Sequence, residues 1–228
     1  VVMDRLELLE YYEGLLDSAL SEGFAWAVAV PLEGGPGTGE LVARLRRWEH
    51  PRAAELLEPY EPEGLPSGES DFFPLDSVHY GRMGEATVFT QGNGARVLDD
   101  DVLAELSRGV RLCGTWWSIN SSNDLVYAED GQVLLRMNMW DYWVGGTGGR
   151  RGGRPHVLDE GLTLVAEAQR LGHTSWKAAA LAIVELRTGV HLELDWVLRP
   201  QPLVLMTPEW YDGRPDEVLP DWFRKTLG

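Results

Sequence analysis

Three runs of apolar, β-branched and aromatic residues, 110–119, 125–128 and 132–140, are separated by five and three residues only. The separators, Asn120-Ser121-Ser122-Asn123-Asp124 and Glu129-Asp130-Gly131, consist mainly of turn formers, and an Asp-Gly pair favours the type I′ turn of a tight hairpin. Connections this short join antiparallel neighbours, because a parallel pair needs a crossover of a dozen residues or more. The stretch therefore predicts a three-stranded antiparallel meander. Period-two alternation puts Val133, Leu135, Met137 and Met139 on one face of its last strand, and Gln132, Leu134, Arg136, Asn138 and Trp140 on the other. The apolar side has to be covered by other elements.

Helices are available to do so. Over 4–20, Leu6, Leu9, Tyr12, Leu16 and Ala19, flanked by Leu8, Tyr11 and Leu15, form one helical stripe, with Glu7, Glu10, Glu13 and Asp17 mostly opposite. Two more helices are predicted at 158–171 and 175–188, the second stopped by Gly189. Shorter ones are predicted at 39–48 and 51–57. Asp99-Asp100-Asp101 opens another through Ser107, with carboxylates at the positive end of the helix dipole. Phe24-Ala25-Trp26-Ala27-Val28-Ala29-Val30 is a strand buried on at least one face, and 78–80 with 85–90 make a hairpin around Arg82-Met83-Gly84.

Proline and glycine mark the breaks. Residues 58–76 hold Pro59, Pro62, Pro66 and Pro74 and are the best internal boundary; 145–154, a Gly/Arg-rich run, is read as a mobile loop. Pro200, Pro202, Pro208, Pro215 and Pro220 predict an irregular terminal wrap anchored by Trp196, Trp210 and Trp222. The fold class is α+β: an antiparallel β-meander or sheet packed against helices, with that wrap, as a single domain over 1–228.

Charge restricts the partners. The 228 residues carry a formal −16, of which −11 lies in residues 1–78, so a phosphate backbone or an anionic lipid surface is repelled over most of the exterior. Nonspecific nucleic-acid binding is not expected, and the acidic front either solvates a helical surface or steers a basic protein partner at low ionic strength. The lone Cys113 permits no intrachain disulfide and no cysteine-based zinc cluster, as in a reducing cytosol. No run reaches the ~18 apolar residues of a membrane span. Val1-Val2-Met3-Asp4-Arg5 lacks a signal-peptide core, and the chain is read as cytoplasmic with no membrane partner.

Several constellations invite a chemical reading. Gly34-Gly35-Pro36-Gly37-Thr38-Gly39-Glu40-Leu41 sits between a strand and a helix like a phosphate loop, but Glu40 and Leu41 stand where such a loop needs Lys and Ser or Thr. His191, Glu193 and Asp195 share one face if that segment is extended, which would make either a polar strand face or a small metal or acid–base cluster. Ser121, Ser122 and Asp124 lack the Gly-x-Ser-x-Gly elbow of a nucleophilic serine. No catalytic set, cofactor or metal is predicted.

The candidate binding residues are the indoles Trp116, Trp117, Trp140 and Trp143, with Asn120 and the loop arginines Arg150, Arg151 and Arg154. Adjacent strand residues face opposite sides, so only one indole of each close pair enters a given core. The other is covered from within or anchors a partner. The three arginines form either a solvated connector or a contact for an anionic ligand or acidic partner.

Six segments together resemble the mostly actinobacterial family catalogued as domain of unknown function 6461. They are Phe24-Ala25-Trp26-Ala27-Val28-Ala29-Val30 with the helix over 41–45; Glu85-Ala86-Thr87-Val88-Phe89; Leu103-Ala104-Glu105-Leu106-Ser107-Arg108-Gly109; Trp117-Ser118-Ile119-Asn120; Leu125-Val126-Tyr127-Ala128-Glu129-Asp130-Gly131; and Leu186-Arg187-Thr188-Gly189-Val190 through Trp196. The resemblance implies a cytosolic bacterial α+β protein and supplies no reaction. The leading expectation is a non-enzymatic acidic protein-binding module, of the immunity or accessory type found in bacterial conflict systems. The alternative is a small-ligand sensor or enzyme with a pocket between meander and helices, using Asn120, Asn123, Asp124 and the 145–154 loop. A structural subunit of a homo-oligomer is the third.

Overall fold

The alternation of large and small residues in Phe24-Ala25-Trp26-Ala27-Val28-Ala29 organises the molecule. In the computed structural model, which describes residues 4–18, 20, 23–57, 76–92, 94–118, 122–149, 152 and 155–207, this segment is strand β1 (Phe24–Pro31) near the centre of a seven-stranded sheet. The other strands are β2 (Asp76–Met83), β3 (Ala86–Gly92), β4 (Val110–Trp117), β5 (Asn123–Glu129), β6 (Gln132–Met137) and β7 (Leu203–Met206), in the order β6-β5-β4-β1-β3-β2-β7. Every neighbouring pair is antiparallel. Both faces of β1 are buried: Phe24, Trp26 and Val28 enter one core, Ala25, Ala27 and Ala29 the other.

The helices divide between the faces accordingly. On the Trp26 side lie α1 (Arg5–Ser18), α6 (Asp159–Leu171) and α7 (Trp176–Thr188), joined near the end of the sheet by α5 (Met139–Trp143). On the alanine side lie α2 (Thr38–Leu45), the 3₁₀ turn Arg96–Leu98 and α4 (Asp100–Leu106). Methyl groups on this face of β1 bring helix and sheet close together, and Gly114 of β4 extends the effect. A Cβ on Gly114 would lie 2.8 Å from Leu98 Cδ2 and 2.9 Å from the Trp26 carbonyl oxygen. Short helices α3 (Ala53–Leu57) and α8 (Leu194–Leu198) and the 3₁₀ turns Arg46–Trp48 and Pro155–Leu158 complete the elements of the described residues.

The meander forms with the predicted turn: Asp130 at φ +47° and Gly131 at φ +82° give the two positive φ angles of a type I′ hairpin. Its last strand differs from strict alternation. Tyr127 opposes Leu135 whereas Ala128 opposes Val133, so a bulge at Leu134 turns Val133 to the alanine-side core while Leu135 and Met137 stay on the Trp26 side. β6 also ends earlier than expected. Asn138 accepts a bond from the Asp141 amide at 2.7 Å and caps α5, so Met139 and Trp140 are helical residues.

Further differences come from charge pairing and edge pairing. Asp99, Asp100 and Asp101 open α4 as predicted, but Asp99 and Asp101 bond Arg96 and Asp100 bonds Arg136. Residues 203–206, expected within the irregular wrap, instead pair with β2 as the edge strand, and Trp196 lies in α8. Trp210 and Trp222 lie outside the described residues. Beside the opposite edge, the Asn138 amide, just past β6, donates to the Gly148 carbonyl at 2.8 Å. Gly152, at φ +119°, approaches so closely that a Cβ would fall 2.1 Å from the Leu134 oxygen.

Two glycines give opposite predictions. Gly114→Ala forces the alanine-side layer away and should lower unfolding free energy by about 1–3 kcal/mol. Gly14→Ala, within α1 with nothing near its would-be Cβ, should raise it by about 0.5–1 kcal/mol. Urea denaturation followed by tryptophan fluorescence measures both.

Candidate functional site

At the sheet end where β1 begins and β4 finishes, indole rings gather. Trp117 closes β4 opposite Phe24 and is 1% exposed, with ring centroids 5.8 Å apart. Trp176, at the start of α7, meets Trp117 edge-on at 6.4 Å. Lys177, the next residue, places its ammonium 5.5 Å from the Trp117 ring and 6.0 Å from that of Trp176. Burial lowers the Lys177 ammonium from its ordinary value. Ser175 caps this helix by accepting from the Ala178 amide at 3.2 Å.

Trp116 points to the other face and packs, half-buried, against the alanine-side core. A sheet covered on both sides therefore accommodates both members of the pair. Trp143 is half-buried against the Trp26-side core, but Trp140 is 49% exposed and Val144, one turn further, is 57% exposed. These two form an apolar surface on α5. The helix is held firmly: the Trp140 amide donates to Asn123 Oδ1 at 3.0 Å, the Asn138 side-chain amide to the Asn123 carbonyl at 3.2 Å, and the Gly148 amide to Asp141 Oδ2 at 2.7 Å. The Gln169 amide bonds the Trp143 carbonyl and ties α5 to α6.

These bonds also account for two polar groups of the expected ligand pocket. Asn123 is 2% exposed and orients α5, while the Asp124 carboxylate accepts from Arg136 Nη1 at 2.8 Å. Arg136 reaches Asp100 as well, joining β6 to α4. Asn120, Arg150, Arg151 and Arg154 lie outside the described residues.

Residues 31–39 line an open cleft of about 630 Å³ together with Arg82 and Glu85. At the start of α2, Glu40 pairs with Arg44 at 2.7 Å and Leu41 is in the core, while the Thr38 hydroxyl bonds that of Thr87 at 2.8 Å. Glu40 and Leu41 stand where a phosphate loop carries its cation and its metal-binding hydroxyl, and neither can supply them.

His191, Glu193 and Asp195 do not share a strand face. Glu193 is the N-cap of α8, Asp195 lies within that helix, and His191 turns to Glu185 of α7, Nδ1 to Oε2 2.8 Å. The Tyr12 hydroxyl donates to the same carboxylate oxygen at 2.6 Å and accepts from the Leu192 amide at 3.2 Å. Burial first, then the charge of Glu185, holds the Tyr12 hydroxyl well above its ordinary pKa. This network bolts α1 to α7, and sequence inspection misses it because Tyr12 and Glu185 are 173 positions apart. Burial pushes the Cys113 thiol up to about 12, so it is not a ready nucleophile. Among the described residues, no group of three or more His, Cys, Asp or Glu is placed to hold a metal ion. None of their helices is long and apolar enough to cross a membrane.

No protein-family model, curated protein or solved structure matches the chain. The surface on α5 is thus defined by its own geometry. Asn138→Ala should cost about 1 kcal/mol of stability by removing the cap. It should also increase acrylamide quenching of Trp140, measured against a Trp140→Phe control.

Proposed function

We propose that the chain is a non-enzymatic acidic protein-binding module whose contact surface is centred on Trp140 and Val144. The observation that carries this reading is a half-exposed indole on a short helix immobilised by Asn123, Asn138 and Asp141. Leaving a large apolar ring in water on a rigid mount forgoes burial of roughly 25 cal/mol per Å². A partner recovers that term with little ordering of the protein side, and tryptophan is enriched among residues that dominate binding energy. The formal −16 charge favours a basic partner and accelerates encounter at low ionic strength. An immunity or accessory role in a bacterial conflict system fits those properties.

The pocket alternative loses support because Asn123 and Asp124 are engaged in the α5 mount and the Arg136 ion pair. Kinship with domain of unknown function 6461 is proposed on the six sequence segments alone, and adds no activity.

The test compares immobilised wild type with Trp140→Ser/Val144→Ser in host lysate at low and high ionic strength, with quantitative mass spectrometry. The expected result is a basic protein retained by wild type at low salt and reduced at least about tenfold by the double substitution. Equal retention of every protein by the two baits would overturn the assignment. Unchanged near-ultraviolet circular dichroism, apart from the lost indole, verifies that the variant is folded.

A further inference from the structure

Aromatic ring, carboxylate and guanidinium recur together in this chain. Arg96 places its Cζ 5.9 Å from the Trp48 ring centre and bonds Asp99 and Asp101. Arg187 places its Cζ 4.7 Å from the ring centre of Tyr127, whose hydroxyl accepts from Arg187 and donates to Glu129. At α5 the ring and the carboxylate are present without the cation. Trp140 is 49% exposed, the share that one open face of a flat ring amounts to, and among the described residues no Lys or Arg lies over it. The adjoining Asp141 accepts from the Gly148 amide and forms no ion pair among those residues. The Val144 amide donates to the Trp140 carbonyl at 3.0 Å, which sets the exposed Val144 side chain one turn along the same helix face.

We propose that the α5 surface receives an arginine side chain of the basic partner, its guanidinium stacked on Trp140 beside Asp141 and its methylene stem laid along Val144. The inference rests on the protein-binding reading above and supplies the chemistry of the contact. A cation is attracted to the negative face of an indole, and the carboxylate of the next residue adds Coulomb attraction to the same head group. Val144 offers an apolar ledge to a side chain whose stem is apolar and whose tip is charged. A purely apolar anchor would cover the ring but leave Asp141 without a countercharge at a drying interface, and a partner carboxylate would be repelled by it and by the formal −16. Arginine suits the arrangement better than lysine, because a planar guanidinium lies flat on a ring while its edge donates to a carboxylate. The Arg96 cluster, with Trp48 and Asp101, is the same assembly completed within the chain.

The probes are a capped Ala-Arg-Ala tripeptide and its neutral isostere with citrulline in place of arginine, titrated into the full chain and followed by nuclear magnetic resonance. Physiological ionic strength, where the Debye length is about 8 Å, screens the general attraction of the acidic exterior. The arginine peptide should shift the Trp140 indole N–H signal saturably and show ring-current upfield shifts of its own methylenes, and the citrulline peptide should bind at least about threefold more weakly. Trp140→Leu, which keeps an apolar side chain without a ring, should abolish the upfield shifts, and Asp141→Asn, which can still accept from Gly148, should weaken the arginine peptide about threefold. A Trp140 signal unmoved by the arginine peptide, or equal binding of the two peptides, overturns the arginine contact. Neither result touches the apolar docking tested by the lysate comparison, in which Trp140→Leu would then retain the partner that Trp140→Ser/Val144→Ser loses.

Discussion

Burial of β1 on both faces is the constraint from which the rest of the structure follows. A central antiparallel strand with two covered sides has no solvent face, so each position must match the layer it meets. Phe24, Trp26 and Val28 fill the wide space beneath α1 and α7, and Ala25, Ala27 and Ala29 leave only a methyl's depth beneath the 3₁₀ turn and its neighbours. The alternation is one of volume more than polarity. It sets the spacing of both layers, and Gly114 beside it has no room to grow.

With two apolar layers in place, the polar groups that remain inside act as bolts between elements. Glu185 receives bonds from Tyr12 and its partner His191 and locks α1 to α7; Arg136 reaches Asp124 and Asp100 and locks the meander to α4. Arg96 gathers Asp99 and Asp101 beneath the Trp48 ring. Buried charge survives only when it is paired and hydrogen-bonded, and each of these clusters meets that condition with residues distant in sequence or drawn from an acidic run. Residues that resemble catalytic candidates in a linear reading are thus consumed by architecture. Among the described residues, Trp140 and Val144 are left facing solvent beside a mount made by Asn123, Asn138 and Asp141.

Much of the fold was legible in the sequence. The Asp-Gly turn, the meander, the stripe on α1 and the Gly189 stop of α7 are local, and local sterics or periodicity specify them. The site was legible in part: Trp140 was identifiable as a candidate, but as a strand residue, because the Asn138 cap that ends β6 competes with a strand pattern that runs on through Trp140. Trp117 and Trp116 each pack against a core layer because the sheet is covered on both faces, which no single strand's pattern reveals. His191 was grouped with Glu193 and Asp195 by spacing, whereas its true partner lies six residues earlier on a helix.

By itself the sequence determined the element types, the antiparallel hairpins and the acidic exterior, since these depend on backbone sterics, side-chain periodicity and formal charge. Only the tertiary structure decided that both sheet faces are covered, that Leu203–Met206 forms an edge strand, that the carboxylates of α4 serve as ion-pair partners, and that Trp140 stays in water while Trp117 does not. Those outcomes depend on which distant surfaces meet and how much room they leave, and no contiguous stretch of chain encodes either quantity.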